Sequence, residues 1–192
     1  MKSTLLAATL ALTATGVLAA PEKYELDPSH SQVMFTYEHL GYSTTYNIFA
    51  GWEGEIMFDQ EDPANSSVSV SIPVMSMFTG WEERFEHFMR DDFFGAEEGD
   101  MVTFESTDIN VTGDSTADIT GDLTMNGMTT EVVLDAELNQ AMGHPMKDGK
   151  PWAGFDATTT VLRSDYDLDK FAPAVSDEVE VMVSIEAGKA EE

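Results

Sequence analysis

Cysteine is absent from this chain of 192 residues, and basic side chains are scarce. Without cysteine there is no disulfide, no thiolate nucleophile, no cysteine zinc site and no lipid-modified N-terminal cysteine. Lys and Arg number 9 against 36 Asp and Glu, which gives a formal charge of −27 at pH 7. Basic side chains are what neutralise phosphates, so nucleic acid and anionic membrane surfaces are unsuitable partners. The acidic surplus is spread along the chain and indicates a solvated surface.

Long apolar runs are also missing after the N-terminus. Met1 and Lys2 form a short positive region, and an apolar stretch of mainly Leu and Ala follows from Leu5 to Leu12. This stretch is too short to span a bilayer, and Val17 and Ala19 suit the −3 and −1 positions of a leader cleavage site. We therefore predict a signal peptide over residues 1–19, export to the periplasm, and one domain over residues 20–192 without stable membrane insertion.

Apolar and polar side chains alternate in short runs separated by turn residues, a pattern that predicts antiparallel β-strands with one wet face each. Asn126 and Gly127 suit a type I′ hairpin turn between two of these strands. The predicted strands number about eight or nine and lie around Val33–Tyr37, Gly54–Phe58, Val68–Ile72, Met101–Ser106, Ile109–Thr112, Ala117–Met125, Val132–Leu138, Phe155–Leu162 and Val179–Ile185.

One segment breaks this period of two. Trp81, Phe85, Phe88 and Met89 recur at helical spacing, so we predict a short amphipathic helix from Thr79 to Met89 with Thr79 as its N-cap. Residues 140–151 contain Gly, Pro and Lys and predict a mobile loop, and residues 188–192 predict a polar tail. Many strands with one helical insertion favour a closed barrel or a sandwich over a parallel α/β fold.

Several blocks of sequence resemble, in order, the YceI-like family of secreted lipocalin-like barrels. The blocks cover nearly all of the chain after the leader. They are YELDPSHS at 24–31, Phe35, HLG at 39–41, Thr79 and Gly80, Arg84, His87 and Phe88, DFF at 92–94, TFEST at 103–107, TGDLTMNGMT at 120–129, RSDY at 163–166 and VSDEV at 175–179. The chain departs from the family pattern at Asp100, at Asp167 and at Phe85, where the family usually has an acidic residue.

The resemblance implies an all-β, eight-stranded antiparallel lipocalin-like barrel with one short helix inserted, whose apolar interior holds a long isoprenoid chain. A polyprenyl phosphate or the tail of a quinone would be such a ligand. Met and Phe, 12 and 11 in number, suit an adaptable lining, although a barrel of this size also has just enough interior to be filled by ordinary core side chains. The ligand-binding residues that we predict are Phe35, Trp81, Arg84, Phe85, Phe88, Phe94, Phe104 and Arg163.

Two of these residues have an alternative role. Arg84 and Arg163 are scarce cations in an acidic chain, so each either pairs with a carboxylate or meets a phosphate head group. The polar side chains of residues 27–31 are expected to bind local backbone and to tether the start of the barrel.

The four histidines give no metal-ligand motif. His30 and His39 are expected near opposite ends of one strand, about 30 Å apart if extended, and cannot then share a metal. Ser29 and His30 are adjacent and are expected to point to opposite faces of a strand, and no nucleophile elbow is present. We therefore expect no metal, no cofactor and no catalytic residues.

These observations predict a periplasmic carrier of an isoprenoid lipid that performs no chemistry of its own. One alternative is an enzyme on the same barrel that uses the region of His30 and His39. Another is a stress-induced barrel whose core is filled and which binds nothing. The expected partner is an isoprenoid lipid, and both a monomer and a homodimer are compatible with the sequence.

Overall fold

The computed structural model describes residues 20–191, so the predicted leader and residue 192 lie outside the described chain. Strands dominate this part of the protein, with one short α-helix between the fifth and the sixth strand. The elements are β1 (Glu22–Leu26), β2 (Gln32–His39), β3 (Ser43–Phe49), β4 (Glu53–Phe58), β5 (Ser67–Pro73), α1 (Glu82–Phe88), β6 (Met101–Val111), β7 (Thr116–Met125), β8 (Met128–Gly143), β9 (Pro151–Leu162) and β10 (Glu178–Lys189).

All strand pairs are antiparallel, and they close into a barrel. The pairing runs β1-β4-β5-β6-β7-β8-β9-β10 and returns from β10 to β1. β10 pairs with β2 over Glu180–Ser184 and with β1 over Ala187–Lys189. β1 and β2 therefore lie one after the other along the same edge of β10 and share one position in the barrel. β3 pairs with β2 and β4 with β1 in the same way. The ten segments therefore form eight barrel positions, which confirms the predicted eight-stranded antiparallel barrel with one helix.

Two strands were not predicted from the sequence. β1 buries only Tyr24, and β3 carries a buried Asn47 at a position where an apolar side chain would have revealed the pattern. The two strands predicted within residues 101–112 are the single strand β6, which ends at Val111. A bulge between Ser106 and Asp108 shifts its register and makes the alternation appear interrupted.

The helix is shorter than predicted. α1 begins at Glu82 with Trp81 in the N-cap position, so the prediction of Thr79 as N-cap is wrong. Gly80 has a positive φ of 76° and turns the chain before the helix. The Thr79 hydroxyl donates to the carbonyl oxygen of Trp81 at 2.7 Å, so it closes this preceding turn instead of capping the helix.

The predicted loop and tail are shorter than expected, because the strands extend into both segments. β8 and β9 remain paired up to Gly143 and Pro151, which leaves only residues 144–150 as the connection. Gly188 and Lys189 belong to β10, and the amide of Ala190 donates to the carbonyl oxygen of Lys23 at 2.8 Å. Backbone pairing explains both differences, because it does not require apolar side chains.

The turn between β7 and β8 agrees with the sequence. Asn126 and Gly127 have φ values of 51° and 73°, as a type I′ turn requires, and the Asn126 side-chain amide donates to the carbonyl oxygen of Tyr166 at 2.8 Å. The apolar side chains of the barrel form two adjoining clusters. One surrounds Trp52 and Phe58, and the other surrounds Tyr37 and the fully buried Tyr166. Within residues 20–191, every helix is too short or too polar to traverse a bilayer.

Candidate functional site: an apolar cavity in the barrel

The barrel interior contains a cavity of about 610 Å³, which is within the usual range for small-molecule sites. Its wall consists mainly of the inward side chains of the strands. Val33, Phe35 and Tyr37 line it from β2, because side chains two residues apart share one face of a strand. The other strands contribute mainly Val, Ile and Leu, such as Val70, Leu134 and Val183. A barrel with such a cavity does not have a filled core.

The helix and the loop after it form part of the cavity wall. Trp81 at the N-cap of α1, Phe88 within α1, and Phe93 and Phe94 from the following loop line the cavity. The ring of Phe88 lies 6.2 Å from that of Tyr37 and 5.9 Å from that of Phe93, between centroids. Residues 79–94 thus supply the aromatic side chains where the strand wall is incomplete.

That incomplete wall follows from the pairing of β3. One edge of β3 pairs with β2. At its other edge, the only strand-like pairing within residues 20–191 is the isolated bridge between Ile48 and Phe78. Trp81 and Phe171 line the cavity and are also 59% and 54% exposed. The cavity therefore meets solvent beside α1 and the loop that contains Phe171.

The structure places seven of the eight predicted binding residues in the cavity wall. They are Phe35, Trp81, Arg84, Phe88, Phe94, Phe104 and Arg163. Phe85 is different, because it lies in a separate, smaller depression with Met77, Phe78 and Trp81 and packs against the main apolar cluster. One residue along a helix turns the side chain by about 100°, which separates Phe85 from its neighbour Arg84. Contact between these residues and a ligand stays a prediction.

Sequence reasoning missed other parts of the wall. Trp52 is 7% exposed and lines the cavity from the turn before β4, and its indole N–H has no hydrogen-bond partner in the structure. Arg90 and Phe171 are placed by loops, where no periodic pattern reveals orientation. Methionine contributes little to the wall, and phenylalanine contributes much more. Among the described residues, Met125 is the one methionine in the wall, whereas seven of the eleven Phe side chains are there.

Arg163 holds a loop at the edge of the cavity. Its Nε donates to the carbonyl oxygen of Ser176 at 2.8 Å, Nη2 donates to that of Val175 at 3.0 Å, and Nη1 donates to those of Leu168 and Lys170. Four of its five N–H donors therefore bind backbone, which neither of the two expected roles included. Burial lowers the pKa of Arg163, and the carboxylates of Asp177 and Asp169 act in the opposite direction.

His87 experiences a positive environment within the wall. Burial is the largest cause that lowers its pKa, followed by the positive charges of Arg90 and Lys170. Its ring lies against Phe93 at 4.8 Å and near Phe171 at 6.5 Å, between centroids. Lys170 forms an ion pair with Asp92 next to the same rings.

The segment 27–31 forms a polar cluster outside the cavity. The amide of Ser29 donates to Asp27 Oδ1 at 3.0 Å, and the Ser29 hydroxyl donates to the same oxygen at 2.5 Å. His30 Nδ1 and Lys147 Nζ approach Asp27 Oδ2 at 3.2 and 3.3 Å. The Ser31 hydroxyl donates to the carbonyl oxygen of Glu186. These contacts join the turn after β1 to β10 and to the loop between β8 and β9.

The expectation that Ser29 and His30 point to opposite faces is wrong, because both lie in a turn. Their Oγ and Nδ1 atoms are 3.0 Å apart. A serine–histidine–aspartate relay needs the serine and the carboxylate on different ring nitrogens, whereas here both approach Nδ1. The arrangement is a hydrogen-bonded turn that lacks the geometry of a catalytic triad.

Asp27, His30 and Glu186 also offer ligand atoms within 4.8 Å of one another, the one such cluster found in residues 20–191. The oxygens are already engaged, since Lys147 approaches Asp27 and the indole N–H of Trp152 donates to Glu186 Oε2 at 3.0 Å. His39 is not in this cluster. It lies at the far end of β2 and lines the cavity.

Comparison with known proteins agrees with this architecture. The protein is 38% identical over 193 residues to a UPF0312 protein of Ectopseudomonas mendocina, with 97% of each chain covered. Among solved structures it is similar to BcnA of Burkholderia cenocepacia, with a TM-score of 0.75 at 22% identity over 84% of this chain and 98% of the other. It is also similar to a polyisoprenoid binding domain of Saccharophagus degradans, with a TM-score of 0.65 at 15% identity over 87% and 98% of the two chains.

The two structural likenesses show the fold, and the sequence comparison shows more. The family model described as the YceI-like domain matches residues 24–187, which include all ten strands except the ends of β1 and β10. This match and the relative at 38% identity lead to one conclusion: the chain belongs to the YceI-like family.

Proposed function

We propose that this protein is a periplasmic carrier that holds the tail of a long-chain isoprenoid lipid inside its barrel and performs no chemistry on it. The observation that carries the proposal is the cavity of about 610 Å³ with its aromatic and aliphatic wall. The Saccharophagus degradans relative, described as a polyisoprenoid binding domain, supports an isoprenoid as the ligand.

The apolar wall is sufficient to retain such a ligand. Each buried methylene contributes about 0.8 kcal/mol. Roughly ten of them supply the 8 kcal/mol or so of micromolar binding, before the cost of association is subtracted. Branched isoprene units match a wall built from Val, Ile, Leu and Phe, because both surfaces are apolar and irregular. No polar contact is needed to hold the tail.

The enzyme alternative has less support. The polar cluster around His30 uses one ring nitrogen for two contacts, and its carboxylates are engaged by Lys147 and Trp152. His39 lines the cavity but is exposed at the end of β2. A carrier requires none of these groups to react.

The periplasmic location rests on the predicted leader of residues 1–19. Cell fractionation of the native organism, with an antibody against the protein, tests it directly. We expect the protein in the periplasmic fraction, shortened by about 19 residues as the cleavage pattern predicts. A full-length protein in the cytoplasmic fraction would overturn the location and leave the binding proposal standing.

Lipid binding is tested with protein stripped of lipid in denaturant and refolded. A neutral polyprenol of about 40 carbons is added, and native mass spectrometry measures the complex. We expect one polyprenol per chain, displaced by an isoprenoid quinone but not by a short-chain alcohol, because only long tails fill the cavity. Failure of both long-tailed lipids to bind would refute the carrier function.

A further inference from the structure

The outer edge of β3 offers unpaired backbone groups. Ile48 is paired at this edge, because its amide donates to the carbonyl oxygen of Phe78 at 3.0 Å and the Phe78 amide donates back at 2.7 Å. In an antiparallel ladder, residues two apart direct their backbone groups to the same side of the strand. The N–H and C=O groups of Thr44 and Tyr46 therefore point away from β2, and within residues 20–191 they have no hydrogen-bond partner.

This edge lacks the features that usually prevent strand pairing. Native proteins protect an open edge with charged side chains, proline or a bulge. The sequence of β3 is STTYNIF, and its register with β2 runs without a bulge. The whole stretch 40–52 carries no charged residue, although 23% of the chain is charged. The edge is therefore open to another strand.

Exposed aromatic side chains lie on both sides of the unpaired groups. Tyr42 is 88% exposed just before β3, and Tyr46 is 61% exposed on its outer face. Phe78 is 67% exposed and is placed next to Ile48 by the backbone bridge. Tyr and Phe are enriched where proteins associate, and charged residues are depleted there. Side chains and backbone thus indicate an interaction surface at the same place.

We propose that a second copy of this chain pairs with the open edge, so that the two β3 strands form an antiparallel ladder about a two-fold axis at Thr45. In this register Thr44 of each copy exchanges both backbone hydrogen bonds with the partner's Tyr46. All the unpaired backbone groups of the edge are then satisfied. The ring of Tyr42 comes next to the partner's Phe78, because Phe78 continues the edge where the new ladder ends.

The existing hydrogen bonds select this register. An axis at Thr44 would need Tyr42, whose amide already donates to the carbonyl oxygen of His39 at 3.0 Å. An axis at Tyr46 would need Ile48, which is already paired with Phe78. An axis at Thr45 needs neither of them.

Charge favours a copy of the same chain as the partner. The formal charge is −27, so two copies repel each other wherever acidic surfaces meet. At the edge of β3 two uncharged segments meet, and no like charges are brought into contact there. A basic partner attracted by the acidic surface would gain nothing from this uncharged edge.

The pairing also continues the sheet beyond β3, where the barrel wall is incomplete. It does not depend on the proposed carrier function, because the paired groups are backbone atoms outside any lipid contact. Dimerisation and lipid binding can therefore fail independently of each other.

Sedimentation equilibrium of the purified protein over a range of concentrations tests the association. We expect a monomer–dimer equilibrium that strengthens at least about threefold between about 0.01 M and about 1 M salt, because screening reduces the repulsion between two acidic copies. A partner held by opposite charge would show the reverse dependence.

Two variants locate the interface. Thr44→Pro removes an N–H that the ladder with β2 does not use, and proline is tolerated at such edge positions. It should weaken the dimer by about tenfold or more, because two hydrogen bonds are lost per dimer. Tyr46→Glu should also weaken it, since it places an acidic side chain in the interface of both copies. Val133→Glu is the matched control, because Val133 is 49% exposed on β8, whose two edges are already paired.

Disulfide crosslinking tests the register. The chain has no cysteine, so a single introduced cysteine is its one thiol. In Thr45→Cys the two thiols face each other across the axis, where a Cα separation of about 4.5 Å suits a disulfide. In Thr44→Cys each thiol faces the partner's Tyr46 and lies too far from the other thiol. Thr44 is the more exposed of the two residues, so random collision would favour Thr44→Cys, whereas we expect Thr45→Cys to crosslink several times faster.

The outcomes are distinct. A protein that stays monomeric at millimolar concentration would overturn the proposal. A dimer that neither Thr44→Pro nor Tyr46→Glu weakens, or that Val133→Glu weakens equally, would overturn it as well, and so would faster crosslinking of Thr44→Cys. Urea unfolding shows whether each variant is folded. If Thr44→Pro is not, Tyr46→Glu and the crosslinking rates decide.

Discussion

Replacing Phe88 by Ala separates a cavity wall from an ordinary core. Phe88 is half-buried, faces the cavity, and has ring contacts with Tyr37 at 6.2 Å and Phe93 at 5.9 Å. Each such aromatic pair contributes about 0.5–1.5 kcal/mol. Because the side opposite these contacts is open cavity, the variant should lose only about 1–3 kcal/mol of unfolding free energy without lipid. It should lose most of its affinity for lipid.

Phe58 is the matched control for this variant. It is 5% exposed, lies outside the cavity wall, and packs edge-on against Tyr24 at 5.6 Å and Phe155 at 5.4 Å. Phe58→Ala should cost about 3–5 kcal/mol, as for a fully enclosed aromatic residue. Urea unfolding of lipid-stripped proteins measures both values, and displacement of a fluorescent polyene lipid measures affinity. Equal destabilisation by the two variants, with lipid affinity unchanged in Phe88→Ala, would refute the placement of Phe88 in a ligand-binding wall.

Two further predictions concern the end of the barrel away from α1. Hydrogen bonds hold the pKa of Asp27 well below its ordinary value of 3.8, and those from Ser29 have a larger effect than those from His30 and Lys147. The ionised carboxylate therefore stabilises the fold above about pH 4, and this contribution is lost as pH falls towards the folded-state pKa. The unfolding free energies of Asp27→Asn and of the parent should accordingly differ above about pH 4 and converge below it. Gly188→Ala should lose about 1–3 kcal/mol, because an added Cβ would lie 2.2 Å from the Trp152 ring. Gly154→Ala is the control, because its Cβ would meet only a carbonyl oxygen at 3.9 Å, and it should unfold in urea like the parent. Equal stability of the two glycine variants would contradict the packing around Trp152.

The strands that sequence reasoning found are those with one apolar face. Val68, Val70 and Ile72 alternate with serines in β5, and burial follows the same alternation. β1 and β3 were missed because their pairing partners decide their structure: β1 joins β10 to β4, and β3 follows β2 through a hairpin. Backbone hydrogen bonds leave no mark on side-chain periodicity.

The cavity could be predicted only in part. The helical spacing of Trp81, Phe85 and Phe88 revealed an aromatic helix, but spacing alone did not show that Phe85 turns towards a separate depression. Trp52 and Arg90 reach the cavity from a turn and from the residues after α1, so their direction depends on tertiary structure. The concentration of arginine at the cavity became visible only when the fold brought residues 84, 90 and 163 together.

Native mass spectrometry of the protein purified from its own organism, without detergent or denaturant, tests the carrier function most directly. We expect a mass above that of the chain by one long-chain isoprenoid lipid. Fragmentation of the released ligand should give repeated five-carbon losses. A native protein that emerges free of any ligand, or that carries a molecule without an isoprenoid tail, would contradict the claim that this barrel is an isoprenoid carrier.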